Sequence, residues 1–325
     1  IEAWLRSNDL LPANVRNYSL GWIREGLRDW CISRDLEWGV PIPVEGYEGK
    51  VLYVWFDAPI GYITATKQLF EEKGSPEEWK AAWSRSRGAE IYHFIGKDNI
   101  YPHAIFWVGM LLAHGEYALP RAIVAGEFMT LERQPMSKSR GWLIEVSEYL
   151  KYFDPDPLRY YLLAASPLHK DLDFSWEEFK RRNNDELVAI LGNFVYRVLH
   201  MTRRYLRGVV PELSPPLDEH EARLREKVET VFHEVCGHVE KFRFNRALRA
   251  ILSLAEEGNR FLNLREPWRA AKEGKFEDVK RTLAYALYLV KAIAVLIAPF
   301  LPSTASRIWR SLGLPGDVHE RKYED

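Results

Sequence analysis

Short β-rich apolar runs alternate with helical patterns in the first third of the chain. The runs at residues 51–56, 91–95 and 121–125 each predict a buried strand. Helical spacing of apolar residues fills the intervals 64–73 and 102–114. Strands that alternate with helices favour parallel βαβ units in a doubly wound α/β sheet.

From residue 175 onward, nearly every segment has helical periodicity. The pattern breaks at residues 211–216 and 264–267, and both breaks contain proline. The most apolar stretch, 283–301, carries apolar residues at alternating spacings of four and three, and Lys291 interrupts it before it reaches membrane-spanning length. We therefore predict an α-helical bundle that contains a core helix and no membrane span.

Composition and charge narrow the class of protein. The chain has 325 residues and a mass of 38.0 kDa, enough for two domains, and its 47% apolar and 28% charged residues are typical of a globular protein. Because the net charge is only −1, a nucleic-acid partner would have to meet a local basic patch. Cys31 and Cys236 form no C-x-x-C pair, so we expect two buried thiols in a reducing cytosol, without a disulfide framework or a four-thiolate zinc site.

A short polar loop, M-S-K-S-R-G at residues 136–141, follows the third apolar run. The ammonium group of Lys138 can stabilise a developing pyrophosphate, and the hydroxyl groups of Ser137 and Ser139 can donate hydrogen bonds to it. A solvated basic loop explains the segment equally well when it is taken alone.

This loop resembles the K-M-S-K-S signature of class I aminoacyl-tRNA synthetases, with Pro135 in place of the family's first lysine. Other segments are similar to the methionyl-tRNA synthetases in particular: GLRDWCISRDLEWGVPIP at 26–43, WFDAPIGY at 55–62, HFIGKDN at 93–99 and DPLRYY at 156–161. The similarity covers nearly the whole chain in order. It implies activation of methionine by ATP with Mg²⁺, and transfer of methionine to tRNA(Met) in the cytoplasm.

The resemblance assigns six residues to a methionine pocket. An unbranched thioether is best recognised by aromatic rings and apolar walls, and such a pocket rejects near-isosteres only modestly. Pro102 stands where the family commonly has an aromatic residue, so one wall can differ. Without the resemblance, the tryptophans would be core residues and the histidine a buried, hydrogen-bonded one. The six residues are Trp55, Ala58, Pro59, Tyr62, His103 and Trp107.

The resemblance also assigns an ATP site. Gly96 follows a predicted strand and permits close approach to the backbone, and the Asp98 carboxylate can hold ribose hydroxyl groups. Arg34 is a candidate phosphate partner, although an Arg–Asp pair on a surface loop explains it as well. Lys138 completes the ATP site and is also, with the two loop serines, a predicted catalytic group.

In the helical half, the resemblance assigns Asn193, Arg197 and Trp268 to reading the CAU anticodon. Asn193 and Arg197 are four residues apart on one predicted helix face, and Trp268 can stack on an unpaired base. Taken alone, each is explained better as an exposed polar residue or a partly buried core aromatic. Five arginines are either phosphate contacts or parts of a solvated helix face: Arg181, Arg182, Arg203, Arg204 and Arg207.

Some features of the family are not found in these 325 residues. No H-I-G-H motif occurs, and the family's first nucleotide-binding half and its zinc-bearing insertion would lie N-terminal to this region. The sequence also begins without Met, in what looks like the middle of a helix. We therefore expect a fragment or one piece of a divided protein, inactive alone, whose N-terminal half a separate chain can supply. Zinc is expected only in that half.

Three other functions compete with this interpretation. A leucyl-, isoleucyl- or valyl-tRNA synthetase shares the signature loop, but the segments at 55–62 and before Trp268 are similar to the methionyl branch. A second alternative is a tRNA-binding module with an inert α/β half. An unrelated nucleotide-binding enzyme would need a P-loop or a G-x-G-x-x-G motif, and the sequence has neither.

We predict an α/β fold followed by an all-α fold. Residues 1–125 are expected to form the second half of a Rossmann-like catalytic domain. Residues 126–174 are expected to form a connecting region with the signature loop, and residues 175–325 a helical anticodon-binding domain.

Overall fold

The computed structural model describes residues 1–166, 168 and 170–321, which form two compact units. The first unit consists of Ile1–Phe128 together with Leu168 and Lys170, and the second of the remaining described residues. The first unit mixes helices and strands, and the second is mostly helical. This order of folds agrees with the predicted fold class, whereas the predicted boundaries at residues 125 and 174 stay predictions.

The first unit combines helices with two pairs of strands. Its helices are α1 (Glu2–Ser7), α2 (Ala13–Glu25), α3 (Val54–Asp57), α4 (Gly61–Glu72), α5 (Trp79–Trp83) and α6 (Val108–His114). Its strands are β1 (Ser33–Arg34), β2 (Val51–Leu52), β3 (Ile91–Gly96) and β4 (Pro120–Gly126). A π-helical segment, Tyr101–Trp107, leads directly into α6.

Strands β3 and β4 pair in parallel, with His93 opposite Ile123 and Gly96 opposite Gly126. The π-helical segment and α6 connect them, so they form one βαβ unit, and the strands predicted at 91–95 and 121–125 are confirmed. Apolar residues of α1 and α2 pack on β4. This core fixes the position of the end of β3, where Gly96 and Asp98 of the predicted ATP site lie.

The strand predicted at residues 51–56 is wrong beyond its first two residues. Those two residues form β2, which pairs antiparallel with β1, and α3 begins at Val54. The backbone N–H of Phe56 donates a 2.7 Å hydrogen bond to the carbonyl oxygen of Tyr53 and starts the helical turn. The Tyr53 ring packs against Trp30, with 5.5 Å between centroids. Such aromatic packing outweighs the strand preference of the individual residues.

The second unit begins with a small sheet and continues as a helical bundle. In the sheet, β5 (Met129–Leu131) lies between antiparallel β6 (Gln134–Pro135) and parallel β7 (Leu172–Phe174). The first helices are α7 (Val146–Tyr149), α8 (Pro155–Ala165) and α9 (Trp176–Arg182), and a π-helical segment, Asn183–Gly192, then leads into α10 (Asn193–Leu206). The others are α11 (Glu219–Val239), α12 (Phe244–Arg265), α13 (Pro267–Lys272), α14 (Phe276–Ile297) and α15 (Pro302–Ser311).

Helix α14 supplies the core of the bundle. The apolar positions predicted for one face of the 283–301 segment are all buried, which confirms the predicted core helix. Helices α10 and α12 pack on α14 and on each other, so closely that a Cβ atom on Gly258 would lie 2.3 Å from the ring of Phe194. None of the described helices is long and apolar enough to cross a membrane.

The expectation of two buried thiols is wrong for Cys31. This residue is exposed, with its Sγ 3.2 Å from the Oγ of Ser33, whereas Cys236 on α11 is half-buried. The segment around Cys31 contributes only the two-residue strand β1 to a sheet. Many of its side chains therefore remain in solvent.

Candidate functional site

An open cleft of about 520 Å³ lies in the first unit. Five aromatic residues line it together with charged ones, and neighbouring rings lie 4.9–5.5 Å apart between centroids in edge or tilted contact. The cleft brings together two of the predicted site residues, Trp55 and Asp98. Other aromatic lining residues come from α2, from the segment after it, from the position before α3 and from the π-helical segment: Trp22, Trp30, Tyr53 and Tyr101.

Tyr62 and His103 form a hydrogen-bonded pair beside Trp55. The Oη of Tyr62 is 2.8 Å from the Nε2 of His103, and Nδ1 of the same ring is 2.9 Å from the carbonyl oxygen of Asn99. Because a carbonyl only accepts, Nδ1 carries the proton, and Nε2 of the neutral ring accepts from the Tyr62 hydroxyl. Burial lowers the pKa of His103 and raises the pKa of Tyr62, so both groups stay neutral near pH 7.

His93 on β3 extends this group. It is only 6% exposed, and its ring centroid lies 5.0 Å from that of Tyr62 and 5.4 Å from that of His103. Burial, and secondarily the neighbouring His103, lower the pKa of His93 to about 4. The Trp55 ring lies 6.3 Å from His103. These four side chains form an uncharged aromatic cluster, which suits contact with a thioether.

Trp107 lies in a separate core cluster, formed with Trp83 and Leu111. It is 2% exposed, and its ring centroid is 6.2 Å from that of Trp83. Ala58 and Pro59 belong to the turn between α3 and α4, where Pro59 is buried and Ala58 is exposed. Of the six residues predicted to form a methionine pocket, three therefore meet in one cluster: Trp55, Tyr62 and His103. Ala58 and Pro59 lie in the preceding turn, and Trp107 lies in the separate core cluster.

Gly96 ends β3 with an ordinary φ of −80°, so its backbone conformation does not require glycine. A Cβ atom at this position would meet nothing within 4 Å. Neither backbone strain nor packing within the protein therefore explains why this residue is glycine. Close approach of a ligand to the backbone would explain it. Asp98 is exposed in the 3-10 turn that follows, Lys97–Asn99, and lines the cleft.

Arg34 is held by an aromatic ring and by the backbone. Its guanidinium carbon lies 3.8 Å from the centroid of the Tyr53 ring, and Nη1 donates to two nearby carbonyl oxygens at 2.7 and 2.8 Å. Asp35 pairs instead with Lys50, at 2.5 Å. Arg34 therefore does not form the Arg–Asp pair considered above. Its guanidinium is a pre-oriented cation with donors left for an anion.

The signature loop is a tight turn beside the small sheet of the second unit. Ser137 and Trp142 exchange two backbone hydrogen bonds, of 2.9 and 3.0 Å, which close its base. The hydroxyl oxygens of Ser137 and Ser139 are 3.1 Å apart. Lys138 is exposed, and its ammonium group has no carboxylate partner among the described residues. The loop thus presents an unpaired cation to solvent.

Arg197 and Trp268 lie together although they belong to different helices, α10 and α13. The guanidinium carbon of Arg197 is 5.6 Å from the centroid of the Trp268 ring. Its Nη1 and Nη2 donate hydrogen bonds of 2.8 Å to the Oδ1 atoms of Asn259 and Asn263 on α12. Asn193 is exposed one turn earlier on α10. Burial lowers the pKa of Arg197, yet a guanidinium remains charged near neutral pH.

The five arginines considered for phosphate contacts fall into two classes. Arg181 and Arg182 both pair with Glu178, at 2.7 and 2.8 Å, and Arg181 makes the largest contribution to lowering the pKa of Glu178 to about 2. A self-paired helix face explains these two. The second class is exposed and has no carboxylate within 4.0 Å in the described part of the chain: Arg203, Arg204 and Arg207.

The sequence analysis did not identify several residues of the aromatic cleft or the residues that orient Arg197. Trp30, Tyr53 and Tyr101 line the cleft, and the high density of aromatic residues before and around them was the available signal. Asn259 and Asn263 orient Arg197, and their four-residue spacing on one helix face could have predicted a joint role.

Comparisons with known proteins account for both units. A family model described as tRNA synthetases class I (M) matches residues 1–199, and one described as the anticodon binding domain of methionyl tRNA ligase matches residues 210–323. The chain belongs to the methionyl family of class I tRNA synthetases. This membership confirms the resemblance, and it decides against the leucyl, isoleucyl and valyl alternatives.

Curated relatives in this family are longer than this chain. The methionine–tRNA ligase of Methanopyrus kandleri is 50% identical over 325 residues, which cover 100% of this chain and 47% of that protein. The ligase of Pyrococcus furiosus is 45% identical, and the match covers 97% of this chain and 45% of that protein. The chain spans about half the length of the curated relatives it matches.

Solved structures of the same family share the fold. The Mycobacterium tuberculosis methionyl-tRNA synthetase in complex with methionyl-adenylate matches with a TM-score of 0.82 at 29% identity, over 98% of this chain and 66% of that one. Its apo form matches with a TM-score of 0.83 at 28% identity, over 99% and 62%. A class I synthetase catalytic fold followed by a helical anticodon-binding region therefore describes the chain.

Proposed function

We propose that this methionyl-tRNA synthetase chain is part of an enzyme that activates methionine with ATP and charges tRNA(Met). A carboxylate oxygen of methionine attacks the α-phosphorus of ATP, and the bond between that phosphorus and the pyrophosphate oxygen breaks. Methionyl-adenylate and pyrophosphate result. A hydroxyl group of the 3′-terminal ribose of tRNA then attacks the acyl carbon, and AMP leaves. The observation that carries the proposal is the neutral Tyr62–His103 pair beside Trp55.

Trp55, Tyr62 and His103 would bind the methionine side chain. Their cluster offers ring faces and no net charge, and a polarizable sulfur interacts favourably with both features. Ala58 and Pro59 would set the turn from which α4 presents Tyr62. Trp107 would support the wall from the core, since it lies one turn after His103. A pocket of this type selects by shape, so norleucine is expected to bind only about 10- to 200-fold more weakly than methionine.

Gly96 and Asp98 would hold the adenosine of ATP. The open space at Gly96 admits a ligand to the strand end, and the Asp98 carboxylate can accept hydrogen bonds from ribose hydroxyl groups. Arg34 would bind a phosphate through its remaining N–H donors. Mg²⁺ would accompany ATP and take most of its ligands from phosphate oxygens and water.

Lys138, Ser137 and Ser139 would act on the leaving pyrophosphate. Lys138 has no internal partner to give up, and the serine hydroxyl groups flank it on a short closed turn. Charge that develops on the pyrophosphate would be stabilised by the ammonium group and by O–H donors. Catalysis would thus depend on positioning and electrostatics, with no covalent intermediate on the protein.

Asn193, Arg197 and Trp268 would read the CAU anticodon. Asn259 and Asn263 each occupy one nitrogen of Arg197, which fixes the plane of its guanidinium. Donors that remain on Arg197 can reach the edge of an unpaired base, and the half-exposed Trp268 ring can stack on one.

The family's H-I-G-H motif is not found in these 325 residues, so residues N-terminal to this region would complete the ATP site. We propose that they act in the same cytoplasmic enzyme, either in one polypeptide or as a separate chain. The purified 325-residue chain would then catalyse methionine-dependent ATP–pyrophosphate exchange slowly, and addition of the N-terminal half would restore it.

Thermal protection tests the substrates. Methionine and Mg-ATP should each raise the melting temperature of the 325-residue chain, because a ligand that binds only the folded state stabilises it. Trp55→Ala should lose the methionine shift and keep the ATP shift. Leu69→Ala, an exposed change on the same helix as Tyr62, should keep both. Absence of both shifts, or an equal shift with alanine in place of methionine, would contradict the proposal.

A further inference from the structure

Helix α10 carries an exposed aromatic pair that the proposed anticodon readers do not include. Tyr196 and His200 are one helical turn apart, and their rings are stacked, with 5.6 Å between centroids and 23° between planes. Tyr196 is 67% exposed, and His200 is exposed as well. The open ring surface of this pair is available to a planar partner.

The pair lies on the same side of α10 as the predicted anticodon readers. At 100° per residue, the polar positions of the helix fall within about 120° of its circumference. The opposite side is buried in the bundle through Phe194, Val198 and Met201. The polar side comprises Asn193, Tyr196, Arg197, His200, Arg203, Arg204 and, just past the helix end, Arg207.

Positive charge on this side of α10 is not compensated. The sequence 193–207 contains no Asp or Glu. Its last three arginines have no carboxylate within 4.0 Å among the described residues, unlike Arg181 and Arg182, which both pair with Glu178. Arg204 lies seven residues after Arg197, about 10 Å further along the helix axis. This side of α10 thus combines exposed ring faces with guanidinium groups that no carboxylate compensates.

We propose that the Tyr196–His200 pair stacks on the loop base that directly adjoins the CAU anticodon, and that Arg203, Arg204 and Arg207 bind the phosphates of the adjoining strand. Unpaired RNA bases bind to aromatic rings by stacking, and their backbone binds to arginine. An acidic peptide would meet the arginines but would not use the ring faces. The inference rests on the proposed function, because it requires RNA at Arg197 and Trp268.

Binding of an anticodon stem-loop RNA to the 325-residue chain tests the stacking. The RNAs are the CAU stem-loop and two versions in which the base directly 5′ or directly 3′ of CAU is removed. Tyr196→Ala should weaken binding of the intact RNA about 5- to 100-fold, and Tyr196→Phe should restore it. On one of the two abasic RNAs, Tyr196→Ala should cause no further loss. Unchanged binding of the intact RNA, or an equal loss on both abasic RNAs, would overturn the stacking.

Salt dependence tests the arginines. Arg203→Gln and Arg204→Gln should each reduce the slope of log K against log salt concentration by about 0.7–0.9. Arg181→Gln is the control and should leave the slope unchanged, since Glu178 already pairs with this residue. Equal slopes for the parent, Arg203→Gln and Arg204→Gln would overturn the phosphate contacts.

Trp268→Ala separates this inference from the proposed function. If Trp268→Ala binds the CAU stem-loop as tightly as the parent, the anticodon assignment itself fails. If Trp268→Ala loses binding and Tyr196→Ala does not, only the stacking inference fails. Melting temperatures of the Tyr196 variants should equal that of the parent, because the side chain is exposed.

Discussion

The hydroxyl group of Tyr62 donates a 2.8 Å hydrogen bond to the Nε2 of His103. The other ring nitrogen of His103 donates to the carbonyl oxygen of Asn99 at 2.9 Å, so both nitrogens have a fixed partner. The pair is therefore held neutral in one orientation. A neutral, pre-oriented pair beside an aromatic ring is suited to an uncharged thioether side chain.

Tyr62→Phe tests this relationship. The change leaves the Nε2 of the buried His103 without its donor, which should lower the free energy of unfolding by about 1 kcal/mol. Methionine binding should weaken as well, because the histidine ring is no longer held from both sides. Denaturant unfolding and methionine titration measure the two effects. A Tyr62→Phe chain with the stability and methionine affinity of the parent would contradict the assignment.

His93 should make stability depend on pH. Its pKa is about 4 in the folded chain and about 6.5 when unfolded, so the unfolded chain takes up a proton first as the pH falls. The contribution of His93 to the free energy of unfolding should thus be complete above pH 6.5. Up to about 3 kcal/mol of it should be lost between pH 6.5 and pH 4. The lowered pKa of His103 acts in the same direction.

Urea unfolding at a series of pH values measures this effect. His93→Gln should flatten the pH profile, while His220→Gln, at an exposed position on α11, should leave it unchanged. A parent profile with no fall in stability between pH 6.5 and pH 4 would show that His93 is not buried as a neutral ring.

Lys138→Ala tests the signature loop. In the enzyme completed with its N-terminal half, the rate of ATP–pyrophosphate exchange should fall about 100- to 1000-fold, the usual effect of losing one charge-stabilising group. The melting temperature should not change, because Lys138 is exposed. Lys151→Ala removes a lysine that Glu148 already pairs with and should retain full activity. A Lys138→Ala enzyme with the exchange rate of the parent would remove this residue from the mechanism.

Gly258→Ala tests the packing that holds α10, the helix that carries the proposed anticodon readers Asn193 and Arg197. The new Cβ atom would lie 2.3 Å from the Phe194 ring, which is fully buried, so the free energy of unfolding should fall by about 1–3 kcal/mol. Gly237→Ala on α11 has nothing within 4 Å and should instead stabilise by about 0.5–1 kcal/mol. Effects of the same sign at the two positions would contradict the packing.

The spacing of apolar residues predicted the helices and strands that are buried on one face or on all sides. The core helix in 283–301 and the parallel strands at 91–95 and 121–125 follow directly from their apolar spacing. The run at 51–56 has the same composition as a strand, yet its aromatic rings pack on distant residues, and the chain turns into a helix. Packing against residues that are distant in sequence cannot be predicted from the composition of the segment itself.

The candidate site depended on the family resemblance, because single residue types are ambiguous. Trp55 and Trp107 look alike in sequence, but only Trp55 lies beside His103, and Trp107 belongs to a separate core cluster. The contact of Arg197 with Trp268 joins two helices, and the asparagines that orient it lie on a third. Such a site is defined by tertiary packing and is not visible in spacing along one helix.

Binding of tRNA(Met) to the 325-residue chain tests whether the helical half recognises the CAU anticodon. The comparison is the same tRNA with its CAU anticodon replaced, measured for the parent, for Trp268→Ala and for Tyr152→Ala, an exposed aromatic control in the same unit. The parent should show a clear preference for CAU, which Trp268→Ala should abolish and Tyr152→Ala should retain. Equal binding of both tRNAs by the parent would contradict this recognition.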